Sequence, residues 1–184
     1  MRRVKFSFFP VLLVVSYVLV AGSFDPLWMV GFSLLHELGH WLAARMLGGG
    51  VRRFFGGGQG FALEIHGLSY QRELAVVLAG PAVNLLLAAA LSGNPFFVFA
   101  NLALAGMNLL PILPLDGGRA LRCLLLLRME PHRCGRILQG LALAFLLPLL
   151  GLSFWLFLSS GYNISLLLVS FYLLFLIKEN GYDV

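Results

Sequence analysis

Six apolar runs dominate this sequence, and all but the last are long enough to cross a lipid bilayer as a helix. With 60% hydrophobic residues, 11% charged residues and a mean hydropathy of +0.91, the chain lacks the polar surface that a soluble domain needs. We therefore predict an all-α polytopic membrane protein with about six transmembrane helices, folded as a single domain over residues 1–184. The predicted spans are residues 6–22, 27–47, 73–91, 96–113, 137–158 and 164–177.

The 13 Lys and Arg residues all fall on one side of these predicted spans. The three turns on the other side, at residues 22–26, 92–95 and 159–163, contain none. Because Lys and Arg accumulate in cytosolic loops, we expect both termini in the cytosol. The net charge of +5 then reflects topology and contact with anionic lipid, and we predict no nucleic-acid partner. Cys123 and Cys134 lie on the cytosolic side, where we expect reduced, structural thiols.

The second apolar run contains the sequence His36-Glu37-Leu38-Gly39-His40. Two His residues four positions apart lie one above the other on a helix, which suits Zn²⁺, and the Glu between them could act as a general base. Ionisable groups at membrane depth are expensive and usually functional. The motif therefore predicts a catalytic zinc site with His36 and His40 as ligands and Glu37 as the base.

A catalytic zinc needs a third protein ligand, and two acidic residues compete for this role. Asp116 follows the fourth predicted span and precedes two Gly residues, on the same side of the membrane as the His pair. Glu64 lies closer in sequence, but it sits in an alternating, strand-like segment whose polar residues are expected to face solvent. We predict Asp116 as the third ligand and keep Glu64 as its rival.

Substrate contacts are predicted at two places. Residues 56–60 are rich in Gly, and Phe61, Leu63 and Ile65 then alternate with other residues, which favours a small β-hairpin after the second span whose edge adds the substrate as a strand. Asn108 is a candidate donor to the substrate or to an oxyanion. An interhelical hydrogen bond is the alternative for Asn108, and Asn101 on the same helix face favours that alternative.

Two further polar residues receive weaker assignments. Asn84 lies one turn after Pro81 in the third span, and we predict that it serves helix packing, with a catalytic role as the alternative. His66 follows the strand-like segment and could contact substrate.

Three sequence blocks in this order resemble the site-2 protease family of zinc intramembrane metalloproteases, over a core at 27–122. The resemblance implies one Zn²⁺ per chain and a membrane-associated β-hairpin after the second span. It also implies hydrolysis of a peptide bond in a membrane-embedded or membrane-associated protein near the cytosolic side. The blocks are His36-Glu37-Leu38-Gly39-His40, Ala79-Gly80-Pro81-Ala82-Val83-Asn84 and Leu115-Asp116-Gly117-Gly118-Arg119.

Within that family the short six-span form is most similar to the branch containing the stage IV sporulation protein FB-type proteases. That likeness implies a bacterial cell membrane, a pro-sigma-like transcription factor precursor as substrate and an inhibitory membrane partner. Members of the branch carry a nucleotide-sensing CBS domain after the last span. We expect this chain to lack that domain, because its sequence ends at Val184.

Two other functions use the same residues. A metal transporter would also need buried ligands, but the sequence shows no second polar span and no internal repeat. A non-catalytic membrane scaffold could keep the zinc ligands, but it would have no use for Glu37. The protease interpretation accounts for both the ligands and the base.

Overall fold

The computed structural model describes residues 25–57, 60–66, 68–113, 115–160 and 165–179. The predicted first span, 6–22, lies outside the described residues. The elements, in chain order, are α1 (Asp25–Met46), β1 (Gly50–Gly57), β2 (Gly60–His66), α2 (Tyr70–Ala90), α3 (Pro95–Asn108), α4 (Asp116–Leu126), α5 (Pro131–Ser160) and α6 (Ser165–Glu179).

Two helices in the described ranges are long and apolar enough to cross a membrane. They are α2 and residues Pro131–Ser159 of α5, at the predicted third and fifth spans. The 21 residues of α2 extend about 31 Å at 1.5 Å per residue, close to the thickness of a bilayer's hydrocarbon core. α3 is apolar but has 14 residues, which is about 10 Å shorter.

The chain divides into two compact units, Met1–Gly106 and Met107–Val184. In the first, α1 and α2 pack closely because Gly39 has no side chain. A Cβ added to Gly39 would lie 2.8 Å from Cγ2 of Val83 and 3.0 Å from the carbonyl oxygen of Ala79. Small residues allow such approaches between helices in membranes, where the hydrophobic effect does not hold helices together. The Gly in the His-Glu-x-x-His motif thus places the motif against α2.

The start of α3 is fixed by its sequence. The Asn94 side-chain oxygen accepts hydrogen bonds from the backbone N–H groups of Phe96 (3.0 Å) and Phe97 (3.4 Å), and Pro95 follows as the first helical residue. The Phe97 ring packs against two aromatic rings of α1, those of Trp28 at 4.9 Å and Phe32 at 5.4 Å between centroids. These ring contacts hold the first turn of α3 against α1.

Between α1 and α2 the chain forms two antiparallel strands. Their register pairs Gly50 with His66 and Gly57 with Gly60, with an irregularity between Val51 and Arg53. Both strands lie against α1. The strands occupy the segment in which the sequence placed a β-hairpin.

In the second unit, the helical hydrogen bonding of α3 stops at Asn108, five residues before the predicted limit of the fourth span at 113. Pro111 has no N–H to continue the helix, and the chain instead makes tighter turns, with hydrogen bonds from Leu110 N to the Met107 carbonyl (3.2 Å) and from Ile112 N to the Leu110 carbonyl (2.7 Å). Ile112 is fully buried in the core of this unit, against residues of α5 and α6. The other core residues are Ala142, Leu146 and Leu173.

The sequence did not predict α4, because its 11 residues include two Arg residues and are too short to span a membrane. Its first turn packs directly on the preceding backbone. A Cβ on Gly117 would collide with the carbonyl of Leu109, and one on Gly118 would lie 2.5 Å from the carbonyl carbon of Ile112. Gly at both positions therefore places the start of α4, at Asp116, against the irregular segment.

Candidate metal centre

His36 and His40 lie one helical turn apart on α1, and both side chains are buried, with 4% and 5% of their surface exposed. Their Nε2 atoms are 3.2 Å apart, and the rings are nearly perpendicular at 87°. The same ring nitrogen of each residue therefore lies close enough to the other for one cation to bind both.

The hydrogen bond to the second nitrogen of His40 determines which nitrogen carries the proton. Nδ1 of His40 lies 2.8 Å from the backbone carbonyl oxygen of Val76 on α2. A carbonyl oxygen can only accept, so Nδ1 carries the proton and donates it. Nε2 of neutral His40 therefore presents a lone pair, which is the form that binds a metal.

His36 has a different partner on α2, the side chain of Asn84. Nδ1 of His36 lies 2.7 Å from Oδ1 of Asn84, and Asn84 is fully buried. With Nδ1 donating to this oxygen, Nε2 of His36 also presents a lone pair. The sequence predicted a packing role for Asn84 and missed this contact. A polar residue in an apolar span was its only signal, since sequence gives no distances between helices.

Gly80 lets both imidazole rings lie directly against the backbone of α2. A Cβ at this position would collide with Nε2 of His40 and would lie 2.7 Å from Nε2 of His36. The two Nε2 atoms therefore lie side by side next to Gly80, close enough for one cation to bind both lone pairs. The residues present therefore fit a metal ion.

The carboxylates that the sequence singled out lie at different places. Glu37 is half-buried on α1, between the two His residues. Asp116 is the first residue of α4 and is 6% exposed, with Nη1 of Arg119 4.0 Å from its Oδ1. A negative charge there is favoured by the helix N-terminus. Glu64 is on β2, and in the backbone register of the two strands it lies opposite Arg53 of β1.

The buried polar and charged side chains include His36, His40 and Asp116. Each of these three residues offers one atom that can bind a metal ion. Cys123 and Cys134 are buried in the second unit and are not disulfide-bonded.

The predicted substrate-binding residues occupy two elements. Phe61, Leu63 and Ile65 alternate along β2, opposite Gly56, Phe54 and Val51 of β1. Asn108 is the last residue of α3 and is half-buried. Asn101, earlier on the same helix, accepts a hydrogen bond from the side chain of Asn84 at 3.2 Å.

A family model for peptidase family M50 matches residues 94–149, a range that includes both Asn108 and Asp116. Two curated relatives are similar over a longer stretch. A zinc metalloprotease of Methanocaldococcus jannaschii is 30% identical over 158 residues, which cover 77% of this chain and 44% of the relative. Stage IV sporulation protein FB of Bacillus subtilis is 33% identical over 140 residues, which cover 63% of this chain and 49% of the relative. The chain thus spans about half the length of these relatives.

One solved structure matches nearly the whole chain. The site-2 protease from Methanocaldococcus jannaschii aligns with a TM-score of 0.69 and 25% sequence identity, covering 95% of this chain and 86% of that chain.

The close packing of both imidazole rings on Gly80 leads to a prediction. Gly80→Ala places a methyl group beside both Nε2 atoms, so we expect metal binding to fall from about one ion per chain to a small fraction of that value. Metal content of the purified chain, measured by atomic emission spectroscopy, tests this. Gly31→Ala is the matched control, because a Cβ on Gly31 meets nothing within 4 Å. Equal metal content in the two variants would show that the ion binds elsewhere.

Proposed function

We propose that the chain is a zinc-dependent intramembrane endopeptidase of peptidase family M50, as its similarity to that family and to a site-2 protease structure supports. It would hydrolyse a peptide bond of a membrane-embedded or membrane-associated protein near the cytosolic side. The observation that carries this proposal is the His36–His40 pair. The Nε2 atoms of these two buried imidazoles lie 3.2 Å apart, packed against Gly80 of α2.

We propose His36, His40 and Asp116 as the three protein ligands of one zinc ion. Two neutral imidazoles and one carboxylate form a donor set that catalytic zinc sites use, and it leaves a fourth position open. The burial of Asp116 supports its role, because a carboxylate with 6% of its surface exposed needs a cation or several donors to stay charged. Nη1 of Arg119, 4.0 Å from Oδ1 of Asp116, adds a positive charge on the same helix.

Glu37 is the proposed general base. When bound, zinc supplies a Lewis acid that polarises a peptide carbonyl and lets a water molecule lose a proton near neutral pH. The carboxylate of Glu37 would take that proton as the water oxygen attacks the carbonyl carbon, and would then give it to the amide nitrogen as the C–N bond breaks. The half-buried position of Glu37 between the two His residues supports this assignment.

Substrate would bind as an extended strand, since a helical substrate hides its carbonyls in backbone hydrogen bonds. We propose that β2 adds the substrate along its edge, with Phe61, Leu63 and Ile65 contacting substrate side chains, and that the hairpin lies at the membrane surface. Asn108 would donate to a substrate carbonyl or to the oxyanion. The alternation along β2 and the place of Asn108, at the last residue of α3, support these roles.

We propose a single transmembrane metalloprotease domain that crosses the membrane about six times, with both termini in the cytosol of a bacterial cell. The distribution of all 13 Lys and Arg residues on one side of the predicted spans supports this topology. The two membrane-length helices, α2 and α5, account for two of the spans.

The proposed substrate class is a membrane-tethered transcription factor precursor of the pro-sigma kind, with an inhibitory membrane protein as a second partner. Both are expectations of the resemblance to the sporulation branch of the family, and the similarity to stage IV sporulation protein FB supports that branch.

The proposed role of Glu37 predicts the behaviour of Glu37→Gln. Gln has nearly the same shape but cannot accept a proton, so we expect kcat to fall by at least about 100-fold while zinc content is unchanged. Cleavage of single-span peptides, each with a Gly- and Pro-containing segment near its cytosolic end, would be followed in liposomes. Glu73→Gln, which changes another half-buried Glu, is the control. Undiminished cleavage by Glu37→Gln would remove Glu37 as the base.

The ligand assignment predicts different outcomes for the two rival carboxylates. Asp116→Ala removes one of three ligands, and we expect zinc affinity to fall by at least about 100-fold. Glu64→Ala should leave zinc affinity within a few-fold of the parent value. Competition with a chromophoric chelator measures both affinities. Loss of zinc with Glu64→Ala instead of Asp116→Ala would reverse the assignment.

A further inference from the structure

A row of buried amides connects His36 to the backbone of α3. Asn84 Nδ2 donates to Asn101 Oδ1 at 3.2 Å, and Asn101 Nδ2 donates to the carbonyl oxygen of Phe97 at 2.9 Å. At the other end, Oδ1 of Asn84 lies 2.7 Å from Nδ1 of His36. Both Asn side chains have no exposed surface. The chain of contacts thus runs through three helices, α1, α2 and α3.

The direction of every hydrogen bond in this row follows from its last member. The Phe97 carbonyl can only accept, so the NH₂ group of Asn101 must face it and the oxygen of Asn101 must face Asn84. That oxygen in turn requires the NH₂ group of Asn84, which leaves the oxygen of Asn84 facing His36. A proton on Nδ1 of His36 completes the row.

Reversing one amide would be costly. A flipped Asn84 would place its oxygen against the oxygen of Asn101, and its NH₂ group against Nδ1–H of His36. Buried polar groups without a partner each cost about 1–3 kcal/mol. The two amides therefore hold one orientation, and with it one tautomer of His36.

We propose that Asn84 and Asn101 are positioning residues for the metal centre, keeping the proton of His36 on Nδ1 and its Nε2 lone pair available to zinc. This rests on the proposed zinc site. His40 needs no such support, because its partner is the backbone carbonyl of Val76, which no substitution can remove. The metal affinity of His36 depends instead on side chains from α2 and α3.

Zinc affinity provides the first test. Leu has nearly the shape of Asn but no polar atoms, so Asn84→Leu and Asn101→Leu should each weaken zinc binding about 10- to 100-fold in the full chain. Asn101→Asp, whose fully buried side chain would be the neutral acid, keeps an acceptor for Asn84 Nδ2 and an O–H donor for the Phe97 carbonyl, so it should stay within a few-fold of the parent value. Val77→Ala, which truncates a fully buried side chain of α2 outside the row, is the control for general loosening of the helix. Unchanged affinity in folded Asn84→Leu would overturn the proposal.

The tautomer of His36 provides a second test that needs neither zinc nor substrate. Nitrogen-15 NMR of histidine-labelled, zinc-free protein in bilayers, at a pH where imidazoles are neutral, distinguishes Nδ1–H from Nε2–H. A His36→Gln variant assigns the His36 signals. We expect Nδ1–H in the parent and a mixture of the two forms in Asn101→Leu. A parent with its proton on Nε2 would refute the proposed positioning role, whereas intact tautomer and zinc results without peptide cleavage would refute only the protease function.

Discussion

Two imidazole rings buried among apolar helices persist only when both nitrogens of each ring have a partner. A polar group without one costs several kcal/mol at membrane depth, where no bulk water reaches it. In this chain α2 supplies the partner for Nδ1 of each ring, through the Val76 carbonyl and the Asn84 side chain. The two Nε2 atoms lie 3.2 Å apart, close enough for one cation to bind both. The contacts between α1 and α2 thus fix the geometry on which the proposed metal centre depends.

Small residues make that arrangement accessible. Gly39 brings α1 onto the backbone of α2, and Gly80 lets both imidazole rings lie against α2, where any side chain would collide with them. In the second unit, Gly117 and Gly118 hold the start of α4 against the preceding backbone, and buried Ile112 anchors that backbone in the core. Helices in lipid gain little from the hydrophobic effect, so close contact of this kind has to provide the packing.

The sequence predicted those parts of the site that lie within one local pattern. Four-residue spacing places His36 and His40 on one face of α1, and apolar runs of sufficient length marked α2 and α5. It did not predict the end of α3 at Asn108 or the short helix α4, because local turns around Pro111 and Gly117 decided them. It also missed the amide row of Asn84 and Asn101, which depends on which faces of separate helices meet. The roles of Asp116 and of the β2 residues remain predictions.

X-ray absorption spectroscopy of the zinc-loaded chain tests the central claim, that the Nε2 atoms of His36 and His40 bind zinc. The account predicts a first shell of nitrogen and oxygen only, at about 2.0–2.1 Å, with outer-shell scattering from two imidazole rings and loss of one ring's contribution in His40→Ala. Sulfur at about 2.3 Å would instead indicate binding by Cys123 or Cys134. That result, or a spectrum with fewer than two imidazoles, would contradict the account.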